Sequence, residues 1–229
     1  PVEDWPYLSH FREYYQNGGR FKEDIDRVAG EILEHIDNNG PLCSADIQYT
    51  EKVNWYWAPT SLGRAALDTL YYRGDLIVHH KKNTRKYYDI AKKHIPVELL
   101  EMTNPNNTPE NYYKWHLLRR IKSVGMLWNR ASDAWLGISG LKTVQRNMAF
   151  SGLLSDGLIM EIIVDGIKFP LYIASDDLDL LENTNADEDK TNRTEFIAPL
   201  DNMMWDRRLV KELFGFDYKW EIYTPAKER

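Results

Sequence analysis

Apolar residues recur at helical spacing in several separate stretches of the chain. The most regular stretch places Ile25, Val28, Ile32 and Ile36 on one face and stops before Gly40, a residue typical of helix ends. The same kind of pattern, with capping and stop residues, predicts further helices at residues 4–17, 44–47, 61–73, 110–124, 130–136, 140–155 and 206–214.

Two hairpins are predicted, each after a pair of helices. Their strands are expected at residues 76–80, 85–90, 158–164 and 167–173. Lys81–Thr84 forms the tip of the first hairpin, and Asp165-Gly166 is a strong two-residue turn signal for the second. Because proline has no backbone N–H, Pro170 is expected to place its strand at a sheet edge.

The end of the chain has a different character. The acidic, Asn-rich stretch Glu182–Arg193 is predicted to be a mobile loop. Strands are then expected at Phe196–Pro199 and Tyr218–Tyr223, on either side of the helix at 206–214. This group indicates the beginning of a β-rich domain that the 229 residues do not complete.

Helix, polar turn, helix and hairpin occur twice in the same order, and the hairpins open on Leu76-Ile77 and Leu158-Ile159. This order is the outline of a winged helix-turn-helix unit. We therefore expect a mainly helical α+β fold with tandem winged helix-turn-helix units. The expected domains are a linking helix at 1–19, winged-helix units at 20–100 and 108–182, and an incomplete β-rich C-terminal domain at 194–229.

Composition fits a folded protein in a reducing compartment. Hydrophobic residues make up 43% and aromatic residues 13% of the chain, which is enough for packed cores. No apolar run approaches the roughly 20 residues that cross a bilayer, and no signal peptide opens the chain. Cys43 is the single cysteine and is expected to be a buried thiol. We predict a cytoplasmic monomer.

The net charge of −6 is unevenly distributed. Seven acidic residues and no Lys or Arg lie between Ser175 and Asp189, whereas six cations face one carboxylate, Asp89, between His79 and Lys93. The total charge therefore does not exclude nucleic-acid binding, although it does not indicate strong non-specific binding either.

Outward-facing residues of the two third helices are candidates for DNA contact. When the hairpins are aligned, Arg64 and Arg146 occupy equivalent positions, and Lys142 and Gln145 share a face with Arg146. Arg and Gln are suited to phosphates and base edges. An ordinary solvated helix face is an equally good interpretation, and Asp68 would repel phosphate in the first copy.

The first hairpin is the stronger DNA-binding candidate. Its tip carries four cations beside a histidine and two tyrosines. The predicted DNA-binding residues of this wing are His79, Lys81, Lys82, Arg85 and Lys86. Cations on a ribbon tip can enter a groove or contact phosphates, and the neighbouring tyrosines could stack on an unpaired base. The alternative is a charged tip that keeps a sheet edge soluble. The second tip, Asp165-Gly166, is expected to be structural.

The sequence gives little support for a metal site, a phosphate-binding loop or a catalytic nucleophile. Adjacent strand residues point to opposite faces, so His79 and His80 are not expected to chelate a metal, and no metal site is predicted. There is no phosphate-binding glycine loop and no nucleophile elbow. Trp55-Tyr56-Trp57 could be a stacking platform, but core packing is the preferred interpretation.

Several segments resemble one bacterial family, the tandem winged-helix DNA glycosylases that act on alkylated bases and interstrand crosslinks. The most specific segments lie near the end of the chain. The resemblance is carried by Phe196–Arg208, Leu213–Tyr218, Glu221–Pro225, Pro1–Leu8, Leu62–Leu70, Gly74–Leu76, Arg85–Ile90 and Pro96. It spans the whole chain, but residues 97–190 match only loosely.

The resemblance implies three winged helices followed by a β-rich domain, and hydrolysis of the N-glycosidic bond of a damaged purine without a cofactor. Family members position water with a Gln-hydrophobic-Gln or Gln-hydrophobic-Asp motif, which would lie upstream of Pro1. Gln16, Gln48 and Gln145 do not fit this motif. We therefore expect an internal fragment with no catalytic residue that binds damaged double-stranded DNA.

Two alternatives remain open at this stage. Tandem winged helices also occur in non-catalytic regulators that bind one operator sequence. A third interpretation is that they serve protein contacts, which the acidic face and the negative total charge leave open. Near the end of the chain, Arg207-Arg208 could contact DNA, but ion pairs with Asp201 or Asp206 are the preferred expectation.

Overall fold

The computed structural model describes residues 2–18, 21–56, 58–186, 194–198, 200–217, 219 and 227, with the backbone alone at 184–186. The chain divides into two compact units, residues 1–105 and 106–229. The fold is α+β and mainly helical, as the sequence predicts. No helix in the described ranges is long and apolar enough to cross a membrane.

The first unit consists of helices packed beside two small antiparallel sheets. Its α-helices are α1 (Ser9–Asn17), α2 (Lys22–Asn39), α3 (Leu62–Arg73) and α4 (Val97–Glu101). Its strands are β1 (Lys52–Val53), which pairs with β2 (Thr60–Ser61), and β3 (Leu76–Lys82), which pairs with β4 (Arg85–Ile90).

The predicted apolar face of α2 forms the core of this unit. Ile25, Val28, Ile32 and Ile36 are almost completely buried, and Gly40 ends the helix with a φ of 88°. They pack with residues from α3 and the hairpin, namely Leu62, Ala66, Leu67, Leu70, Leu76 and Tyr88.

The ends of α3 also follow the prediction. The Ser61 hydroxyl accepts the backbone N–H of Arg64 at the start of the helix. At the other end, Gly74 has a φ of 86°, a left-handed conformation that suits glycine. These two residues fix the length of the helix that presents Arg64.

The opening segment differs slightly from a single helix. Two 3-10 turns, Val2–Asp4 and Pro6–Leu8, precede α1. Helix α1 packs on α3, because Gln16 Nε2 donates to the Arg73 carbonyl (3.0 Å) and Arg73 Nε donates to the Tyr15 carbonyl (3.1 Å).

The prediction of a helix at 44–47 is wrong. The Asp46 carboxylate accepts the Cys43 N–H (2.8 Å), so this side chain closes a turn instead of supporting a helix. The chain then continues without regular secondary structure to β1, and the Tyr49 carbonyl accepts the Gly63 N–H (3.0 Å). Cys43 is buried, as predicted.

The Trp55–Trp57 segment is partly described. Trp55 packs against the core and stacks on Phe21 with a centroid distance of 6.2 Å, which confirms core packing for this residue. Tyr56 is about half exposed. Trp57 lies outside the described residues.

The second unit repeats the sequence of helix, turn, helix and hairpin. Its α-helices are α5 (Pro109–Val124), α6 (Thr143–Ser155), α7 (Leu178–Ala186) and α8 (Arg207–Phe214). Its strands are β5 (Leu127–Trp128), β6 (Ile159–Ile162) and β7 (Leu171–Ala174). The short helix predicted at 130–136 is a 3-10 turn, Asp133–Trp135.

The three strands are ordered β5-β7-β6, so β7 is the central strand. The prediction that Pro170 belongs to an edge strand is therefore wrong. Pro170 instead precedes β7, where it needs no ladder hydrogen bond, and β5 covers the other side of that strand. Strands β6 and β7 pair only up to Ile162 and Leu171, so the predicted turn at Asp165-Gly166 lies within a longer loop.

The final segment joins the core of the second unit. Helix α8 is confirmed, and its Leu209 is buried with Leu117, Trp128 and Phe150. Residues 194–198 contain no strand, contrary to the prediction for 196–199. The loop predicted for Glu182–Arg193 is wrong as far as Ala186, because helix α7 includes these residues. Residues 187–193 and most of the strand predicted at 218–223 lie outside the described residues.

Candidate nucleic-acid interface

The β3–β4 hairpin projects a positive tip from the first unit. The side chains from His79 to Lys86 are all exposed, and Asn83 and Thr84 make the turn, with Asn83 at a φ of 56°. In the described part of the chain, Lys81, Lys82 and Arg85 form no salt bridge. The charges of Lys81 and Lys82 are therefore available to a ligand, whereas the charge of Arg85 also acts on the nearby Asp46 carboxylate.

The hairpin register places like charges directly opposite each other. Lys81 pairs with Lys86, and Lys82 pairs with Arg85. Side chains opposite each other lie on the same face, so both faces of the tip are positive. Facing cations destabilise a hairpin in isolation, and an anionic ligand would remove that repulsion. This arrangement favours binding of a polyanion over a purely solubilising role.

Helix α3 extends the positive surface. A cleft of about 340 Å³ is lined by residues of this helix and of the hairpin. It brings together three of the predicted residues, Arg64, Arg85 and Lys86. Arg64 is exposed, as expected, and Lys86 also lies 5.9 Å from the ring centroid of Tyr71 on α3.

Asp68, whose negative charge was expected to repel DNA phosphates, is hydrogen-bonded within the first unit. Its carboxylate accepts a hydrogen bond from the Tyr88 hydroxyl (2.8 Å). Burial and the neighbouring Asp68 charge raise the pKa of Tyr88 above its usual value, so the hydroxyl keeps its proton and remains a donor. The Asp68 carboxylate therefore has a structural partner at the wall of the cleft.

The second unit does not present its predicted residues in the same way. Arg146 was expected on the outward face of the helix, but it is 7% exposed, and its Nε donates to the Asn129 side chain (2.8 Å). Burial lowers its pKa. Lys142 is exposed but precedes α6, and the Gln145 side-chain oxygen is buried. These three side chains do not form a common exposed face.

In the arginine pair near the end of the chain, Arg207 lies close to a carboxylate that was not predicted. Asp201 and Asp206 cap the 3-10 turn Asn202–Met204 and helix α8. Arg207 instead lies 3.9 Å from the Asp133 carboxylate. The surrounding cleft of about 640 Å³ also contains further cations, Arg208, Lys211 and Lys219.

Comparison with known proteins supplies the identity of the chain. The family described as DNA glycosylase AlkZ-like matches residues 1–229. The chain belongs to this family. The match confirms the resemblance suggested by the sequence segments and connects the chain to DNA repair. Comparison with solved structures gave no significant match.

In this AlkZ-like chain, the base of the hairpin contains a cluster that sequence reasoning missed. Strand pairing shifts between Val78 and His80, which makes His79 the extra residue of a β-bulge. Simple alternation therefore fails here. His79 and His80 approach each other with their Nδ1 atoms 2.8 Å apart, and the His79 ring lies 5.1 Å from that of His94.

The cluster also contains a buried carboxylate. His94 Nε2 lies 2.7 Å from Asp89 Oδ2, and Asp89 Oδ1 accepts the Ile90 N–H (2.8 Å). Burial alone would raise the pKa of Asp89, but these hydrogen bonds and the nearby positive charges lower it overall. The expectation that His79 and His80 point to opposite faces is wrong at this bulge, because their Nδ1 atoms approach each other. A strand bulge next to paired histidines leaves no clear signal in a single sequence.

Proposed function

We propose that this chain provides the DNA-binding surface of a DNA repair glycosylase that acts on alkylated or crosslinked purines. In this proposal, residues 20–100 and 108–182 are winged-helix units. Helix α3 lies over the major groove, and the β3–β4 hairpin is a wing that contacts the flanking backbone. The bound form of DNA is a damaged duplex of any sequence.

One observation carries this proposal. Arg64, Arg85 and Lys86 line one cleft, and Lys81 and Lys82 continue the positive surface to the hairpin tip. Such a surface suits the phosphates of a duplex. The AlkZ-like family match supplies the reason to choose damaged DNA over other polyanions. Arg146 is not part of the proposed surface, because it is buried.

No residue of this sequence is assigned to bond cleavage. The three glutamines, Gln16, Gln48 and Gln145, do not occur in the motif implied by the family resemblance. We therefore expect a protein of these 229 residues to bind DNA but to release no base. Release of a methylated purine by this protein alone would contradict that part of the proposal.

Competition binding tests the proposed substrate class. Fluorescence anisotropy would compare a duplex that carries a methylated purine, the same duplex without damage, and undamaged duplexes of unrelated sequence. We expect salt-sensitive binding that favours the damaged duplex and is the same for all undamaged sequences. Preference for one undamaged sequence would support a regulator instead. No salt-sensitive binding at all would favour a role in protein contacts.

A further inference from the structure

The base of the hairpin brings together three side chains, one from each strand and one from the segment that follows. His79 lies on the bulge of β3, Asp89 lies near the end of β4, and His94 follows the 3-10 turn Ala91–Lys93. One possible ligand atom from each of the three lies within 4.8 Å of the other two. Two imidazole nitrogens and one carboxylate oxygen are typical ligands of divalent transition metals.

We propose that His79, Asp89 and His94 form a binding site for a divalent transition-metal ion, with Zn²⁺ as the best fit. Ligand atoms about 2.0–2.2 Å from zinc lie roughly 3.4 Å apart in a tetrahedral site. The hydrogen bond between His94 and Asp89 already brings two ligands close, at 2.7 Å. The His79 and His94 imidazoles, which are exposed, would rotate to bring all three ligand atoms from within 4.8 Å to this spacing, and water would take the fourth position.

The surroundings of the site are also suited to a metal. Asp89 is 6% exposed, and the Ile90 N–H fixes the orientation of its carboxylate. His80 Nδ1 lies beside His79 Nδ1, and the His80 ring is stacked on Tyr87 with a centroid distance of 4.5 Å. Neighbours of this kind orient the ligands of protein metal sites.

A metal at this position would hold both strands and the following segment together. The proposed ligands come from β3, from β4 and from the chain after the 3-10 turn. The ion would therefore fix the base of the hairpin while the cationic tip remains exposed. This role is structural, and it does not depend on the proposed binding of DNA.

Calorimetric titration of the metal-free chain with Zn²⁺ tests the proposal. We expect one ion per chain. The His79→Ala and His94→Ala variants should each bind at least about tenfold more weakly, since even loss of a group that orients a ligand costs about 10–100-fold. Titration with Co²⁺ should produce the visible absorption of a tetrahedral site in the wild type and lose it in both variants.

His35→Ala is the matched control, because it removes an exposed imidazole on α2 that lies outside the cluster. Its affinity should equal that of the wild type. His79→Ala alters an exposed side chain, and circular dichroism would verify its fold. The proposal fails if the wild type binds no Zn²⁺, if His79→Ala and His94→Ala bind as tightly as the wild type, or if His35→Ala weakens binding equally. Since the titration contains no DNA, its failure would leave the DNA-binding proposal intact.

Discussion

Two helical glycines of the first unit have opposite surroundings. A Cβ atom on Gly63 would lie 2.5 Å from Ile47 Cγ2 and 3.2 Å from the Tyr49 carbonyl oxygen. Helix α3 can therefore approach the segment that contains Ile47 and Tyr49 only because this side chain is absent. A Cβ atom on Gly30, in the middle of α2, would meet nothing within 4 Å.

Gly63→Ala should consequently destabilise the protein by about 1–3 kcal/mol, since the added methyl group overpacks a close contact. Gly30→Ala should stabilise it by about 0.5–1 kcal/mol, because alanine has the higher helix propensity. Urea denaturation of both variants measures these changes in the free energy of unfolding. A stabilising effect of Gly63→Ala would contradict the close packing of α3.

At the scale of elements, one buried carboxylate links helix α8 to the sheet of the second unit. Asp206 is 1% exposed. Its Oδ1 atom accepts the Leu209 N–H (3.0 Å) at the start of α8, and its Oδ2 atom accepts the indole N–H of Trp128 on β5 (2.7 Å). The same side chain therefore caps a helix and joins it to the sheet.

Trp128→Phe would keep an aromatic ring but remove this donor. We expect a loss of about 1–3 kcal/mol in the free energy of unfolding, because a buried carboxylate would lack one hydrogen bond. Thermal or chemical denaturation measures the loss. Unchanged stability would show that Asp206 does not depend on the indole N–H.

Features that follow from a regular spacing of apolar residues could be predicted from the sequence. Features that depend on a particular contact could not. Helix α2 could be predicted because its buried residues repeat at regular spacing. The turn near Asp46 could not, because a side-chain hydrogen bond to Cys43 outweighs the apparent helix cap at Ser44. The central position of β7 depends on β5, a two-residue strand that is distant in sequence.

The same holds for the candidate site, where some residues could be predicted from the sequence and others could not. The cations of the hairpin tip were visible as a cluster in the sequence, and their exposure agrees with the structure. The burial of Arg146 was not visible, because it depends on its contact with Asn129. The approach of His79 to Asp89 and His94 follows from a bulge, a local irregularity that alternation rules do not predict.

At the scale of the whole molecule, charge distribution matters more than total charge. The chain has a net charge of −6, yet the hairpin tip of the first unit is positive on both faces. Binding to phosphates by such a local surface should depend on a few cations and respond strongly to salt. The membership of the AlkZ-like family gives this surface its expected partner, DNA.

The salt dependence of DNA binding by a hairpin variant tests this account most directly. The variant replaces Lys81, Lys82 and Arg85 with alanine. Its control replaces three exposed cations that do not line the cleft, Arg27, Lys122 and Lys168, and removes the same number of positive charges. Binding to a duplex with a methylated purine would be measured over a range of salt concentrations.

We predict weaker binding for the hairpin variant and a shallower plot of log affinity against log salt. The slope should decrease by about two to three, since each phosphate contact contributes roughly 0.9. The control should retain a slope close to that of the wild type. An unchanged slope in the hairpin variant, or an equal decrease in the control, would contradict the assignment of the β3–β4 hairpin to the DNA-binding surface.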